Sequence, residues 1–430
     1  MDKRFFNLFN LTEDQAIAVL DTPHDQLDQK DSRYIAASHL VNFPTERSIQ
    51  ALLRAVALTE PELSNRIVRR KSIETLGRLK AKQALPVIQA CLTDDDRFTV
   101  ENTVWAIGEI GTQDPVILAA IAQLLDQPGQ TYRVIIQTLA KLNYAPALAK
   151  IRQFVDYSEP PVASAALTAV SQLTGDRQLM ADVITFLQHP VAMARRLAIQ
   201  DFIDAQYYEA IPAIAQCPVS LVFRLRGLRE LAKVAIAANA LTVADVQPYL
   251  ERTLRDHPQD LALIRPYEQS PKLPFLVKEL YSTDFGRCYF ATALILQDYA
   301  NDIQTVAEAL LTTYEAEGRN DYGAHFHIIK LLGWLKYAPA YNILIEALHN
   351  RQPQFQKSRA AAAIALAELG DRRAIDDLKQ CLDTSIWDLQ YAALMALQQL
   401  GDANGTQQGS ENQDWLIQTK INLITKESSR

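Results

Sequence analysis

The sequence predicts an all-α chain built from repeated pairs of helices, and three observations support this fold class. Glycine is scarce: 14 of 430 residues is about 3%, against a usual level of about 7%. β-proteins and nucleotide-binding α/β folds need glycine at turns and phosphate loops. Several segments share one plan, in which an apolar helix closes on leucine or isoleucine and a short turn leads into a second helix. The closing residue recurs every 31 to 34 positions, a period typical of helical solenoids.

The ends of the repeated helices carry matching local signals. The closing residues are Leu79, Ile110, Leu142, Leu173, Leu335, Leu369 and Leu400. Gly111, Gly370 and Gly401 directly follow three of them, where a helix C-terminus favours a left-handed residue. Pro115 and Pro339 lie a few residues further on, where the next helix begins. We therefore predict a HEAT-like α-α superhelical solenoid.

The repeats also predict how the chain is organised. The predicted parts are an N-terminal cap at 1–30, an N-terminal HEAT-like arm at 31–244, a proline-rich irregular junction at 245–280, a C-terminal HEAT-like arm at 281–401, and a polar linker with a terminal helix at 402–430. In the cap, Thr12 and Gln15 have the spacing of a capping box. Five prolines are expected to interrupt the helices of the junction and to change the direction of the chain: Pro248, Pro258, Pro266, Pro271 and Pro274.

Composition excludes several classes of protein. A net charge of −7, from 43 basic and 50 acidic residues, argues against nonspecific nucleic-acid binding. No run approaches 18 apolar residues, so no membrane insertion is expected. The four cysteines are far apart and form no CxxC pair, which predicts reduced thiols and no metal site. We expect a soluble, cytoplasmic protein with no permanently bound cofactor.

The first candidate for chemistry is the segment around Glu101, Asn102 and Trp105. Glu101 and Trp105 are four residues apart, so they share one face of a helix. A carboxylate beside a flat aromatic ring could hold a conjugated ligand that carries N–H groups. The alternative is a surface glutamate beside a tryptophan packed in the core.

The second candidate begins at Asp321. Tyr322 and His325 are three residues apart on one predicted helix, and Asp321 lies at its start. A carboxylate, a phenol and an imidazole together could perform general acid–base chemistry. The alternative is an aspartate that caps the helix and histidines in ordinary hydrogen bonds.

Arginines recur at the starts of the predicted inner helices. The candidate ligand-binding members of this ladder are Arg69, Arg70, Arg133, Arg195, Arg224 and Arg287. A ladder of guanidinium groups suits carboxylates or phosphates. The alternative is helix capping and salt bridges between repeats. Cys288, between Arg287 and Tyr289, is either a thiol of lowered pKa or simply a buried side chain.

Three stretches resemble a known family. TVENTVWAIGEIGTQDP, at 99–115, resembles the best-marked motif of the E/F-type phycobilin lyases of cyanobacteria and red-lineage plastids. RFFNLFNLTEDQAIAVLDTP and SRYIAASHLVNFPTERSIQALL resemble the phycoerythrin-specific branch of that family. The resemblance covers nearly the whole chain and is strongest at residues 4–115.

The resemblance implies an activity and partners. A member of this branch would attach phycoerythrobilin, its substrate, through a thioether to a cysteine of the phycoerythrin α subunit. Some relatives are lyase-isomerases that also convert phycoerythrobilin to phycourobilin. A second lyase-family subunit is a further expected partner, and a bilin chaperone or a protein scaffold without catalysis remains the alternative.

The resemblance also implies roles for the candidate residues. The arginines would bind the two propionates of the linear tetrapyrrole. Glu101 or Asp321 would accept hydrogen bonds from pyrrole N–H groups, and Trp105 and Tyr289 would stack on the rings. Asp321 with Tyr322 is the preferred proton-transfer pair, and Glu101 is the second choice for this role. Both candidate helices are expected to face one shared cavity.

Overall fold

The structure, a computed structural model, describes residues 11–27, 32–60, 62–265, 267–268, 271–402 and 414–428. Helices and turns account for all regular structure in these ranges, in which there is no strand. The first residues of the predicted cap, Pro266 and the predicted polar linker after Asp402 lie outside the described residues. The all-α fold class is confirmed.

The chain forms two compact units, which divide between Val183 and Ile184. The helices of the first unit are α1 (Glu13–Asp21), α2 (Ser32–His39), α3 (Glu46–Val56), α4 (Leu63–Arg78), α5 (Leu85–Gln89), α6 (Arg97–Ile110), α7 (Pro115–Gln123), α8 (Tyr132–Lys141), α9 (Leu148–Ile151), α10 (Pro160–Thr174) and, at the boundary, α11 (Leu179–Thr185). The helices of the second unit are α12 (Ala192–Asp204), α13 (Ile211–Gln216), α14 (Leu221–Ala237), α15 (Val243–Arg255), α16 (Leu273–Glu279), α17 (Phe285–Asp298), α18 (Ile303–Thr313), α19 (Tyr322–Trp334), α20 (Tyr341–His349), α21 (Gln356–Leu369), α22 (Ile375–Gln380), α23 (Trp387–Gln399) and α24 (Trp415–Ser428).

The predicted helix-end signals are present. The Thr12 hydroxyl accepts from the Gln15 amide, and the Gln15 side chain accepts from the Thr12 N–H in return, so α1 begins with a capping box. Gly111, after α6, has φ +81°, which a residue with a Cβ rarely adopts. These local features follow directly from the residue types, and they fix where the helices of each repeat begin and end.

In the first unit, α2, α4, α6, α8 and α10 pack side by side in one row, which includes the first helix of each predicted repeat. Small residues allow a close approach. A Cβ added at Gly77 in α4 would lie 2.8 Å from the Cα of Ala106 in α6. The small side chains at these positions therefore let neighbouring helices of the row approach closely.

In the second unit, α19, α21 and α23 form the corresponding row and are buried around almost their whole circumference. The helix α15 contacts α21, and the terminal helix α24 packs on α23. Glu251 of α15 accepts from Tyr391 of α23 at 3.4 Å and from Lys420 of α24 at 2.8 Å. The face that these three helices would otherwise expose is thus covered by segments of the same unit.

The junction at 245–280 contains more helix than its prolines suggest. Pro248 lies inside α15, and Pro274 is in the first turn of α16. Proline removes one backbone hydrogen bond from the helix. The helix α15 continues past it because its apolar side, including Leu250 and Leu254, is buried. The expectation that every proline here interrupts a helix is wrong, whereas the assigned domain boundaries remain predictions.

None of the helices in the described ranges has both the length and the apolar composition needed to cross a membrane.

Candidate functional site

The helix α6 presents the first candidate surface. Asp96 caps it by accepting from the Thr99 N–H at 3.1 Å. One side of the helix is buried in the first unit, whereas Glu101, Asn102 and Trp105 keep partial exposure. The three predicted residues therefore lie on one accessible side of one helix.

Neighbouring side chains contact both Glu101 and Trp105. Glu101 Oε2 accepts from the Thr131 hydroxyl at 3.0 Å. The guanidinium of Arg78 lies 5.9 Å from the centroid of the Trp105 ring. The carboxylate keeps one oxygen for another donor, and the indole face already attracts a cation, so this surface suits a ligand with N–H groups and an aromatic system.

An exposed aromatic ring extends the same surface. Phe98 is 43% exposed, and the guanidinium groups of Arg70 and Arg97 lie 4.8 Å and 4.7 Å from its ring centroid. Asn102 donates to the backbone carbonyl of Phe98 at 2.7 Å, so its amide is used within the helix. Phe98 was not singled out from the sequence, in which a phenylalanine near a helix start gives no sign of exposure.

The second candidate lies at the start of α19. Asp321 is the N-cap residue, and its Oδ1 accepts from the backbone N–H groups of Gly323 at 2.9 Å and Ala324 at 2.8 Å. Tyr322 is 53% exposed, whereas His325 is only 2% exposed. Asp321 and Tyr322 therefore lie at an accessible edge, and His325 points into the core.

His325 and Tyr289 are enclosed by the second unit. The His325 ring packs against Tyr314 and Phe355, and burial lowers its pKa to about 4. The side chain of Tyr289 is fully buried and donates to Asp256 Oδ2 at 2.9 Å. In this arrangement neither ring offers a face to a ligand, in contrast to the binding roles expected from the sequence.

The three predicted arginines of the first unit have internal acceptors. Arg69 donates to the Val56 carbonyl at 2.9 Å and pairs with Asp94 at 2.8 Å. Arg70 forms a bidentate pair with Asp96 at 2.7 Å for both bonds. Arg133 donates to the Pro161 carbonyl at 2.5 Å and is 8% exposed.

The three predicted arginines of the second unit also have acceptors within the chain, and two of them, Arg195 and Arg287, lie near the start of α17. Arg195 donates to the His189 carbonyl at 2.7 Å and pairs with Asp284. Arg287 forms a bidentate pair with Glu279 at 2.8 Å and 3.0 Å. The contacts of all these arginines thus match the structural alternative of caps and salt bridges, and their binding of propionates remains a prediction.

Arg224 belongs to a buried polar cluster. Asp256, which adopts φ +52° after α15, accepts from Arg224, Lys330 and Tyr289. Burial alone would raise the pKa of Asp256, but the charges of Lys330 and Arg224 hold it below its usual value. Burial also lowers the pKa of Lys330 to about 8, although Asp256 attracts its charge. The cluster joins α14, α15, α17 and α19 inside the second unit.

A cleft of about 960 Å³ opens at the start of α17, a volume within the range of small-molecule sites. Its lining carries charges of both signs, from Lys278, Arg287, Glu279 and Glu317 among others. Tyr281 also lines it, and its pKa is raised by burial and then by the charges of Glu317 and Asp321. Asp321 is thus close enough to act electrostatically on the cleft.

Lys357, on α21, was also not selected from the sequence. Its Nζ lies 4.1, 4.9 and 5.0 Å from the ring centroids of Phe285, Tyr322 and Phe326. Burial lowers its pKa to about 8. A lysine one residue before an alanine-rich repeat looks like any exposed lysine, and only the fold brings the three rings around it.

The similarities to other proteins agree with this architecture. Residues 61–129 and 342–408 match the family of HEAT repeats. The chain is 60% identical, over 98% of its length, to an uncharacterized phycocyanin operon protein Y of Pseudanabaena tenuis (strain PCC 7409), whose whole length is covered. It is 32% identical, over 86% of its length and 90% of the relative, to the bilin biosynthesis protein CpeY of Synechococcus sp. (strain WH8020).

The chain belongs to the E/F-type phycobilin lyase family. Another phycobilin lyase relative, the phycocyanobilin lyase subunit alpha of Thermosynechococcus vestitus (strain NIES-2133 / IAM M-273 / BP-1), is 30% identical over 46% of this chain and 80% of its own length. The family resemblance seen in the sequence is confirmed. Since α6 lies in the first unit and α19 in the second, their expected shared cavity remains a prediction.

Proposed function

We propose that this phycobilin lyase family member attaches phycoerythrobilin, through a thioether, to a cysteine of a phycoerythrin α subunit. The observation that carries the proposal is the similarity to the bilin biosynthesis protein CpeY across 86% of the chain. The choice of phycoerythrin follows the resemblance of the opening segments to the phycoerythrin branch. The expected location is the cyanobacterial cytoplasm, beside the phycobilisomes.

A second acceptor is favoured by one specific observation. The relative that is 60% identical carries the name of a phycocyanin operon protein. A phycocyanin subunit is therefore the alternative acceptor, and the chemistry required of the lyase would be the same.

The reaction adds the acceptor thiol across the exocyclic double bond of ring A. A carbon–sulfur bond forms, the π bond of the ethylidene group breaks, and a proton goes to the neighbouring ring carbon, so the addition needs no oxidant or reductant. The tasks left to the lyase are to bind an extended bilin, to assist its protonation and to present ring A to the correct cysteine.

The cysteines of the chain support an external nucleophile. All four, Cys91, Cys217, Cys288 and Cys381, are buried. Burial raises the pKa of Cys217 and of Cys288 to about 12, and that of Cys381 to about 11. The thiolate is the reactive form, so these thiols are poor nucleophiles near neutral pH. The nucleophile is therefore assigned to the acceptor subunit.

The accessible residues of α19 take the acid–base role in this proposal. Asp321 accepts two backbone N–H bonds at a helix start, where the positive end of the helix dipole attracts a carboxylate. It would serve as the counter-ion of a protonated bilin, and the exposed hydroxyl of Tyr322 would relay the proton. On α6, Glu101 would accept from pyrrole N–H groups, and Trp105 would stack on a ring.

The test combines the purified chain, phycoerythrobilin and an apo α subunit. Transfer predicts a covalent adduct that remains coloured in acidic urea, at a rate above that without the chain. A chaperone would turn coloured without accelerating adduct formation, and a scaffold would do neither. Either result contradicts the proposal if it persists when a second lyase-family subunit is added. Apo phycocyanin serves as the second acceptor, and the adduct spectrum separates phycoerythrobilin from the isomer phycourobilin.

Addition of a candidate second lyase-family subunit completes the test. One relative is named as subunit alpha of a lyase, which supports such a partner. If the chain acts with a second subunit, the adduct should form only when both are present.

A further inference from the structure

No residue that the structure describes accepts a hydrogen bond from the ammonium group of Lys357. Among the described residues it makes no hydrogen bond or ion pair, and its near contacts are the rings of Phe285, Tyr322 and Phe326. Lys357 is only partly buried, so some of its surface meets solvent. Three N–H donors thus stand at an accessible edge without an acceptor.

Lys330, a second buried lysine of this unit, shows which partners a lysine has when its ammonium group is paired. It is buried on α19, and it donates to the carboxylate of Asp256 and, at 2.7 Å, to the Asp256 carbonyl. Burial also removes Lys357 from much of its hydration, and this lowers its pKa to about 8, as it does for Lys330. Within the described ranges no carboxylate pairs with Lys357, so the counterpart of the Asp256 carboxylate that binds Lys330 is missing there.

We propose that Lys357 binds a carboxylate of the ligand, and specifically one propionate of the linear tetrapyrrole. This inference rests on the proposed bilin function. It assigns to the Lys357 ammonium group the recognition of an acidic side chain of that substrate. The predicted arginines are already paired within the chain, whereas Lys357 offers a cation whose donors are unused.

The surroundings of Lys357 fit an anion in this position. Its own charge is attracted by Asp256 and Asp321 and is opposed by Arg196, and in the part of the chain that the structure describes none of the three forms a hydrogen bond or an ion pair with it. Phe285, Tyr322 and Phe326 hold the ammonium by cation–π attraction, which leaves its N–H groups available. Asp321 lies on the same edge, so a bilin with a propionate at Lys357 would place a pyrrole near that carboxylate.

The experiment measures binding without any acceptor subunit, by the absorption change of phycoerythrobilin and of its dimethyl ester. The chain should bind the free acid about 10-fold more tightly than the ester, because only the acid can form a charge-assisted pair. Lys357→Met keeps the apolar stem and should bring the affinity for the acid down to that for the ester. Lys357→Arg should restore most of the preference, and Lys233→Met, at an exposed site on α14, should retain it fully.

The pH dependence provides a second measurement. Because the ligand pairs with the charged lysine, affinity for the acid should fall as pH rises above about 8. That fall should be absent in Lys357→Met and absent for the ester. A role of Lys357 in folding alone would not produce it.

The outcomes separate this inference from the proposed function. Equal affinity of the chain for acid and ester, or equal weakening of both by Lys357→Met, would overturn the inference while leaving transfer to be judged by its own assay. A preference for the acid that depends on Lys357 would support it even if no thioether forms.

Discussion

Lys330 donates to Asp256 from 74 positions further along the chain, to the backbone carbonyl at 2.7 Å and also to the carboxylate. Arg224 pairs with the same carboxylate, so one buried anion serves two buried cations. Both cations have lost their hydration by burial, and the carboxylate of Asp256 compensates their charges.

Asp256→Asn should therefore destabilise the second unit strongly. Asn tolerates the left-handed backbone of this position, so the change chiefly removes the charge. Loss of one partner from a buried ion pair costs about 3–5 kcal/mol. The measurement is the free energy of unfolding in urea. As a control, Glu315→Gln removes half of the exposed pair with Arg319 and should cost less than about 1 kcal/mol. Similar losses in the two variants would contradict the role assigned to Asp256.

His325 should make the protein sensitive to acid. Burial lowers its pKa from 6.5 to about 4, so between these values the unfolded chain binds more protons than the folded one. Stability from this residue is therefore present above pH 6.5 and is lost as pH falls towards 4. At pH 4.5 the loss should be about 2–3 kcal/mol.

His325→Phe should remove part of that loss, since a phenyl ring can pack against Phe355 and Tyr314 as the imidazole does. Urea unfolding at pH 7 and at pH 4.5 tests this. The variant should lose less stability than the native chain between the two pH values. An identical acid loss in both proteins would show that His325 does not titrate as described.

Cys288→Ser should leave most of the transfer activity. The Cys288 thiol is enclosed and donates to the Ser282 carbonyl at 3.3 Å, a contact that a hydroxyl can also make. The assay is adduct formation on the apo subunit. A variant that binds bilin normally yet transfers none would make a covalent intermediate on the lyase the better mechanism.

Asp321→Asn should reduce the rate of transfer more than the binding of bilin. The amide oxygen of Asn can cap α19 as the carboxylate does, so the fold should remain. General acid–base groups contribute about 10²–10⁴-fold in rate. The time course of adduct formation is compared with Asp302→Asn, a change at the N-cap of α18.

Tyr322→Phe and Glu101→Gln extend the same series. Tyr322→Phe keeps the ring beside Lys357 but removes the hydroxyl, and it should slow transfer if the hydroxyl relays the proton. Glu101→Gln tests the second-choice carboxylate. Native rates in Asp321→Asn and Tyr322→Phe would exclude the pair from the mechanism.

A fifth prediction concerns the expected shared cavity. If α6 and the start of α19 contact the same bilin, Trp105→Leu and Asp321→Asn should both change the absorption spectrum of bound phycoerythrobilin. Loss of ring stacking in Trp105→Leu should also weaken binding roughly 2- to 10-fold. A spectrum altered by only one of the two changes would place the other helix away from the ligand.

Local features were predictable from the sequence because they depend on nearby residues. The Thr12–Gln15 capping box, the left-handed Gly111 and the Asp321 cap each require a few adjacent side chains. The burial of Tyr289 and His325 could not be predicted in this way, since it depends on helices distant in the sequence.

Pairing was the least predictable part of the candidate site. The arginine ladder showed where guanidinium groups recur, but the partners of Arg195 and Arg224, at Asp284 and Asp256, are 89 and 32 residues away. The three rings around Lys357 likewise come from two other helices. Sequence spacing identifies which charged groups lie on a helix, whereas the fold determines which of them are already paired within the chain.

The contact between Glu251 and Lys420 also constrains how the protein is made. The two residues are 169 positions apart, and α24 buries Leu416, Ile417 and Ile421 against the second unit. At roughly 5–20 residues per second, a ribosome needs about 10–30 s to synthesise the chain between them. During that interval α15 has left the exit tunnel without its final neighbour, so the nascent second unit exposes surface that α24 covers only when synthesis is nearly complete.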